Sequence, residues 1–212
     1  MYIPPSLRQE VENLKKAGKF DEALKKVNHV LMRDPMQEDA LLQVVDIEYR
    51  RGELDKAGKP IDFLMQMKMD DPLHVYIKGV IEMEKNNRYD AKKLFQEAIT
   101  LTKFENHEIL RCYGLCEYRY GNREKGISFL QQAWDLHSTD AEVIYNLVEI
   151  YLLEFDYRRA KRMIKYFHDK REKLETFDKD MEYYDQKIGL FEKFVEQQGS
   201  ASASKNLAVQ AA

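Results

Sequence analysis

Five small residues recur at an almost constant interval: Ala23 in GKFDEA, Ala57 in GELDKA, Ala91 in NRYDA, Gly126 in GNREKG and Ala160 in DYRRA, spaced by 34, 34, 35 and 34 residues. A fixed period of this length is the signature of one supersecondary unit stacked on copies of itself, because a single unit cannot bury its own apolar face. Four residues after each anchor stand Val27, Ile61, Phe95, Leu130 and Ile164, and seven after stand Val30, Leu64, Ala98, Ala133 and Phe167. That spacing predicts a helix with one apolar stripe. Twelve residues before the anchors, Val11, Val45, Gly79, Gly114 and Val148 are small or β-branched, as a close helix crossing requires. Five before stand Gly18, Gly52, Asn86, Gly121 and Phe155, and the first four tolerate the left-handed backbone of a tight turn. Each unit is therefore expected to be a helix, a turn and a second helix. Pro35 and Pro72, preceded by Asp34 and Asp71, are expected to open the following helices with the aspartates as caps.

These residues resemble the tetratricopeptide repeat over roughly residues 4–174. Gly18-Lys19-Phe20, Gly52-Glu53-Leu54 and Asp156-Tyr157 supply the turn, and YGLCEYRYGN and YNLVEIYLLEFDY have the texture of its first helix. Arg88 and Arg123 replace the turn aromatic, Phe155 replaces the turn glycine, and Pro60 falls three residues after its anchor, where a late or kinked helix start would absorb it. The resemblance implies an all-α, right-handed superhelical solenoid of antiparallel helix pairs with about 11 helices. Its units lie near 4–37, 38–71, 72–106, 107–140 and 141–174. Phe177, Met181, Tyr184, Ile188, Phe191 and Val195 then continue at helical spacing, predicting a capping helix over about 177–197 and a single solenoid over 1–198. GSASASKNLAVQAA, residues 199–212, reads as a flexible tail, with Leu207 and Val209 available to enter its own or a neighbour's groove.

Charge and motifs narrow the function. With 34 Lys and Arg against 37 Asp and Glu, the net charge of −3 is unlike that of a basic nucleic-acid binder. No apolar run approaches the roughly 18 residues of a membrane span, and MYIPPSLRQE lacks a secretory core, so no membrane insertion and a cytoplasmic location are expected. A phosphate loop, a Gly-x-Ser-x-Gly elbow and a His-Glu-x-x-His helix are missing, which argues against an enzyme and against a cofactor. His29, His74, His107, His137 and His168 show no ligand spacing, and Cys112 and Cys116 offer two thiols on one helix face without a third ligand, so packing explains them and no metal site is expected. The densest positive run, Arg158, Arg159, Lys161, Arg162 and Lys165, lies on a second helix and suits a solvated face. A nucleic-acid-associated regulator using this patch, residues 158–165, is the alternative to the reading below.

In the tetratricopeptide family the first helices line the inner groove. The resemblance thereby assigns to a partner-binding groove Leu42, Asp46, Tyr49, Tyr76, Met83, Arg111, Tyr118, Arg119, Tyr145 and Glu149. Tyr76, Met83, Tyr118 and Tyr145 are expected to take apolar side chains, Arg111 and Arg119 acids or carbonyls, and Asp46 and Glu149 a basic residue. Val80, Leu115 and Leu152 suit either the groove or the packing between helices. The family's clamp for chaperone C-terminal carboxylates needs an Asn where this chain has Glu12, Asp46, Val80, Leu115 and Glu149, and only Asn146 falls at the neighbouring register. The expected role is a non-enzymatic scaffold that binds a peptide segment of a protein partner in its concave groove. The groove's texture is similar to that of repeat proteins that chaperone secreted substrates or organise membrane-bound assemblies.

Overall fold

The computed structural model describes residues 3–68, 70–177 and 179–210, with the side chains of 199–210 excepted. Among the described residues there are eleven α-helices and no strand, as the repeat predicts. By packing, the chain divides into two compact units, Met1–Phe104 and Glu105–Ala212, where the sequence leads one to expect a single solenoid. The division falls where α6 ends on two consecutive left-handed residues, Lys103 (φ 52°) and Phe104 (φ 64°).

In the first unit, α1 (Pro5–Lys16) and α2 (Phe20–Leu31), α3 (Glu38–Arg50) and α4 (Leu54–Met67), and α5 (Pro72–Glu84) and α6 (Arg88–Leu101) form three helix pairs. The anchors Ala23, Ala57 and Ala91 are fully buried where paired helices cross, and Val27, Ile61 and Phe95 are buried one turn further on. Gly79 completes the crossing of α5 and α6: a Cβ there would lie 2.8 Å from the Phe95 ring. Gly18, Gly52 and Asn86 turn the chain in the left-handed region, at φ 69°, 81° and 64°.

Two local expectations need correcting. Asp71 caps α5, its carboxylate accepting from Leu73 N at 3.0 Å, but Pro35 does not open α3. There Gln37 is the cap, its side chain accepting from Ala40 N at 2.6 Å, and Asp34 accepts from Met36 N within the preceding turn. Pro60 sits in the second turn of α4, not the first, and the helix runs through it from Leu54. Pro60 has no N–H to give to the ladder there.

The second unit pairs α7 (His107–Tyr120) with α8 (Arg123–Leu136) and α9 (Ala141–Leu153) with α10 (Tyr157–Lys170), and α11 (Met181–Gln210) packs on α9 and α10. Gly114 and Gly126 face each other where α7 crosses α8, the closest backbone approach among the described glycines. Here the turn signal is misplaced: Gly121 is not left-handed (φ −135°), whereas Phe155 is (φ 57°), with its ring 76% exposed.

After α10 a single 3₁₀ turn, Arg171–Lys173, leads into a short extended stretch. Glu175 pairs with the loop before α9: its N–H donates to Thr139 O at 2.8 Å and its carbonyl accepts from Ala141 N at 3.0 Å. The capping helix consequently starts at Met181, four residues later than the apolar spacing predicts, with Asp180 accepting from Tyr183 N. It continues to Gln210 through most of the stretch expected as a flexible tail, where Ala, Lys, Leu and Gln are good helix formers. Residues 211–212 and the side chains of Leu207 and Val209 lie outside the described residues.

Candidate functional site

In the first unit the expected groove residues converge. Leu42, Asp46 and Tyr49 share one face of α3 at the i, i+4, i+7 spacing, and Tyr76 and Val80 face them from α5. With Val45, Ile77 and Ile81 they line a cavity of about 190 Å³. Tyr76 leans on the buried Phe95 (centroids 6.2 Å apart) and so stands on a rigid floor. Met83, half-buried on α5, is not part of the lining.

Asp46 plays a different part from the one expected. Its Oδ2 accepts from the buried Lys15 Nζ at 2.5 Å, and its Oδ1 accepts from Arg50 Nε at 2.9 Å. Lys15 is held further by Gln43 Oε1 and Glu12. The carboxylate is thus neutralised from within the unit, because a lysine buried on α1 needs an anion more than a partner's basic residue does.

In the second unit most of the expected site residues are engaged in packing. Arg111 is buried, with Nε and Nη2 donating to the two Glu108 oxygens (2.7 and 2.6 Å) and Nη1 donating to Asn146 Oδ1 at 3.1 Å. Burial works against its charge, but Cys112, Glu108 and Glu142 outweigh it and hold its pKa well above the ordinary value. Tyr118 is buried and donates to Glu154 Oε1 at 2.7 Å. Burial and then that carboxylate push its phenol up to about 12. Tyr145 is covered by α11: its ring stacks on Phe191 (5.6 Å, 17°) and meets Tyr183 and Tyr184, while its hydroxyl donates to Glu149 at 3.3 Å. Burial, followed by Glu149, raises its pKa. Arg119 is exposed. Of the undecided positions, Val80 lines the cavity, Leu115 is buried and Leu152 is half-buried.

The basic run on α10 separates into Arg159 and the four other cations. Arg159 donates to Asp156 at 2.6 Å and lies 4.5 Å over the Tyr151 ring; Lys165 pairs with Asp169; Lys161 and Lys165 stand beside Glu192 and Glu196 of α11. At one hundred degrees of rotation per residue, Arg158, Lys161, Arg162 and Lys165 share one exposed face of α10 and Arg159 turns aside from it. Cys112 and Cys116 are both buried, and the Cys112 thiol donates to Glu108 Oε1 at 3.7 Å.

A cluster that sequence spacing does not disclose brings Glu38, Asp71 and His74 together, with ligand atoms within 4.8 Å of one another. Glu38 is already shared between Lys68 Nζ (2.5 Å) and His74 Nε2 (3.1 Å), and Asp71 caps α5. Its members are separated by up to 36 residues and come from successive units, which is why no local motif announces them.

Several solved structures share this arrangement of helices. TTC0263, a thermophilic TPR protein of Thermus thermophilus, superposes with a TM-score of 0.69 at 18% identity, over 86% of this chain and 97% of its own. Yeast Tom70 gives a TM-score of 0.73 at 17% identity, over 96% of this chain and 42% of its own. This chain has the tetratricopeptide-repeat fold. YrrB, described as a TPR protein with an unusual peptide-binding site, gives 0.52 at 16% identity, over 73% of this chain and 79% of its own. No family model and no curated protein matches the sequence. Within the tetratricopeptide-repeat fold α1, α3, α5, α7 and α9 are the first helices, so the α3–α5 cavity lies on a first-helix face. No described helix is long and apolar enough to cross a membrane.

Proposed function

We propose that this protein is a non-enzymatic interaction scaffold that seats a peptide segment of a protein partner on the first-helix face of its first unit. The observation that carries the reading is the cavity bounded by Leu42, Tyr49, Tyr76 and Val80. At about 190 Å³ it is smaller than the roughly 300–1,000 Å³ of a small-molecule cleft, so it suits one apolar side chain of a longer segment. Tyrosine serves such a site well, because its ring offers a large rigid apolar face while the hydroxyl stays solvated. The internal neutralisation of Asp46 makes the site select for apolar character over positive charge. YrrB, of related architecture, is described as having a peptide-binding site, which supports a peptide as the kind of partner.

Selection of a random peptide display library on the full-length chain tests this. Enriched peptides should share an apolar anchor, and Tyr76→Ala or Tyr49→Ala should weaken their binding roughly tenfold, as expected for a hot-spot residue worth about 1–2 kcal/mol. Peptides that bind both folded variants as tightly as the wild type would remove the α3–α5 site. Tyr145→Ala is unsuitable for this purpose, since it breaks the contact with α11.

A further inference from the structure

A second cavity, larger and chemically different, lies in the second unit between α8, α9 and α10. Three helical faces build it: Gln131, Trp134 and Asp135 on α8, Leu147 and Tyr151 on α9, and Arg159, Arg162, Met163 and Tyr166 on α10. On each helix these positions follow the i, i+3, i+4, i+7 pattern of a single face, so the lining is one face of each of three helices that leave a gap where they meet, with Asp135 and Arg162 at its exposed rim. Its volume of about 450 Å³ falls within the range of small-molecule clefts.

The walls are aromatic and the polar groups are mostly donors. Trp134 and Tyr166 meet edge to face (5.4 Å, 82°), and the Tyr151 ring carries the Arg159 guanidinium. Gln131 Nε2 donates to Tyr151 Oη at 3.0 Å, which fixes both side chains. The buried Trp134 Nε1–H has no acceptor among the described residues. Arg159 is already matched by Asp156, whereas Arg162 is exposed at the edge and makes no ion pair among the described residues. Arg162 thus leaves one guanidinium for an anion contact, while Asp135 on the facing helix brings the remaining charge of the lining to zero and disfavours more than one negative charge.

We propose that this cavity is a binding site for a flat aromatic group carrying a single anionic substituent, its ring lying against Trp134, Tyr151 and Tyr166 and its anion meeting Arg162. The basic run of α10 thus contributes Arg162 as an anion contact at an aromatic pocket. The site is independent of the α3–α5 cavity and stands or falls without it.

Trp134 is the only tryptophan of the chain, so its fluorescence reports on this pocket directly. The probe is anilinonaphthalenesulfonate, titrated into the full-length protein and compared with uncharged phenylnaphthylamine. Saturable quenching of Trp134 with one site per chain is expected, with the charged probe preferred. Arg162→Gln should weaken the charged probe roughly tenfold, the scale of one hydrogen bond to a charged group, and leave the neutral probe unchanged. Asp135→Asn should tighten the charged probe, and Lys25→Gln, in the other unit, should have no effect. Circular dichroism checks that each variant is folded. Equal affinity for the two probes, an unchanged affinity in folded Arg162→Gln, or quenching that does not saturate would each overturn the proposal.

Discussion

Replacing Gly126 with alanine sets two well-characterised effects against each other. In an ordinary helix the change stabilises by about 0.5–1 kcal/mol, because glycine loses more backbone freedom on folding. In α8, however, the new Cβ would lie 2.5 Å from Tyr118 N, 2.7 Å from Gly114 O and 2.7 Å from Tyr118 Cα. All three are backbone atoms of α7 and cannot swing aside as a side chain end can. To reach the 3.4 Å of ordinary contact, α8 must withdraw along the whole crossing and loosen Leu130 and Ala133, both fully buried. Overpacking of this kind costs roughly 1–3 kcal/mol, so the net expectation is a loss of about 1–2 kcal/mol. Gly189 in α11 is the control, since a Cβ there meets nothing within 4 Å and Gly189→Ala should stabilise by up to about 1 kcal/mol. Urea titration followed by Trp134 fluorescence reads both, and Trp134 lies on the same helix as Gly126. The two variants must move the midpoint in opposite directions. If Gly126→Ala is as stable as the wild type or more so, the close crossing of α7 and α8 is refuted.

Phe155 holds a left-handed turn with a mostly exposed ring whose described aromatic contact is an edge-on approach to Tyr157 at 6.5 Å. Phe155→Gly should therefore raise the urea midpoint by the equivalent of about 0.5–1 kcal/mol, and a lowered midpoint would show that the ring does more than the turn requires. In alkaline solution Tyr118, held up to about 12 by burial and Glu154, should ionise after the exposed tyrosines, with Tyr113 and Tyr145 also late. Because the folded state keeps the Tyr118 proton beyond the ordinary value near 10, its contribution to stability is complete below that pH and is lost as pH rises toward 12. Near-ultraviolet absorbance should show a late tyrosinate phase that vanishes in urea, and a single phase at the ordinary value would contradict the buried hydrogen bonds.

The helix pairs were legible because the residues that set them act locally. A small anchor every 34 or 35 residues, an apolar stripe beside it and a glycine or asparagine five residues earlier suffice to place each crossing and most turns. The turn at Phe155 was not legible, since a left-handed phenylalanine is tolerated only where the flanking helices α9 and α10 impose it. The groove was half legible. Leu42, Tyr49 and Tyr76 reach a cavity, but Tyr118 and Tyr145, at equivalent registers, are occupied by Glu154 and by α11. Aromatic character is what both a ligand face and a helix seam select, so residue type alone does not separate them. The pocket at Trp134 draws on three helices, and its linear trace on α10 is Arg159, Arg162, Met163 and Tyr166 at i, i+3, i+4 and i+7 within a run dominated by charge.

The pairing of Glu175 with Thr139 and Ala141 fastens the chain to the loop ahead of α9 six residues before α11 begins at Met181. Swinging α11 away at its amino end therefore strains both backbone hydrogen bonds and, with them, the hold on α9 at Ala141. The fastening acts as a hinge pin for that end of the helix. Tyr145, the residue α11 covers through Phe191, Tyr183 and Tyr184, lies under the part of the helix nearest the pin, so baring it requires the pin to give way or the helix to lift against it.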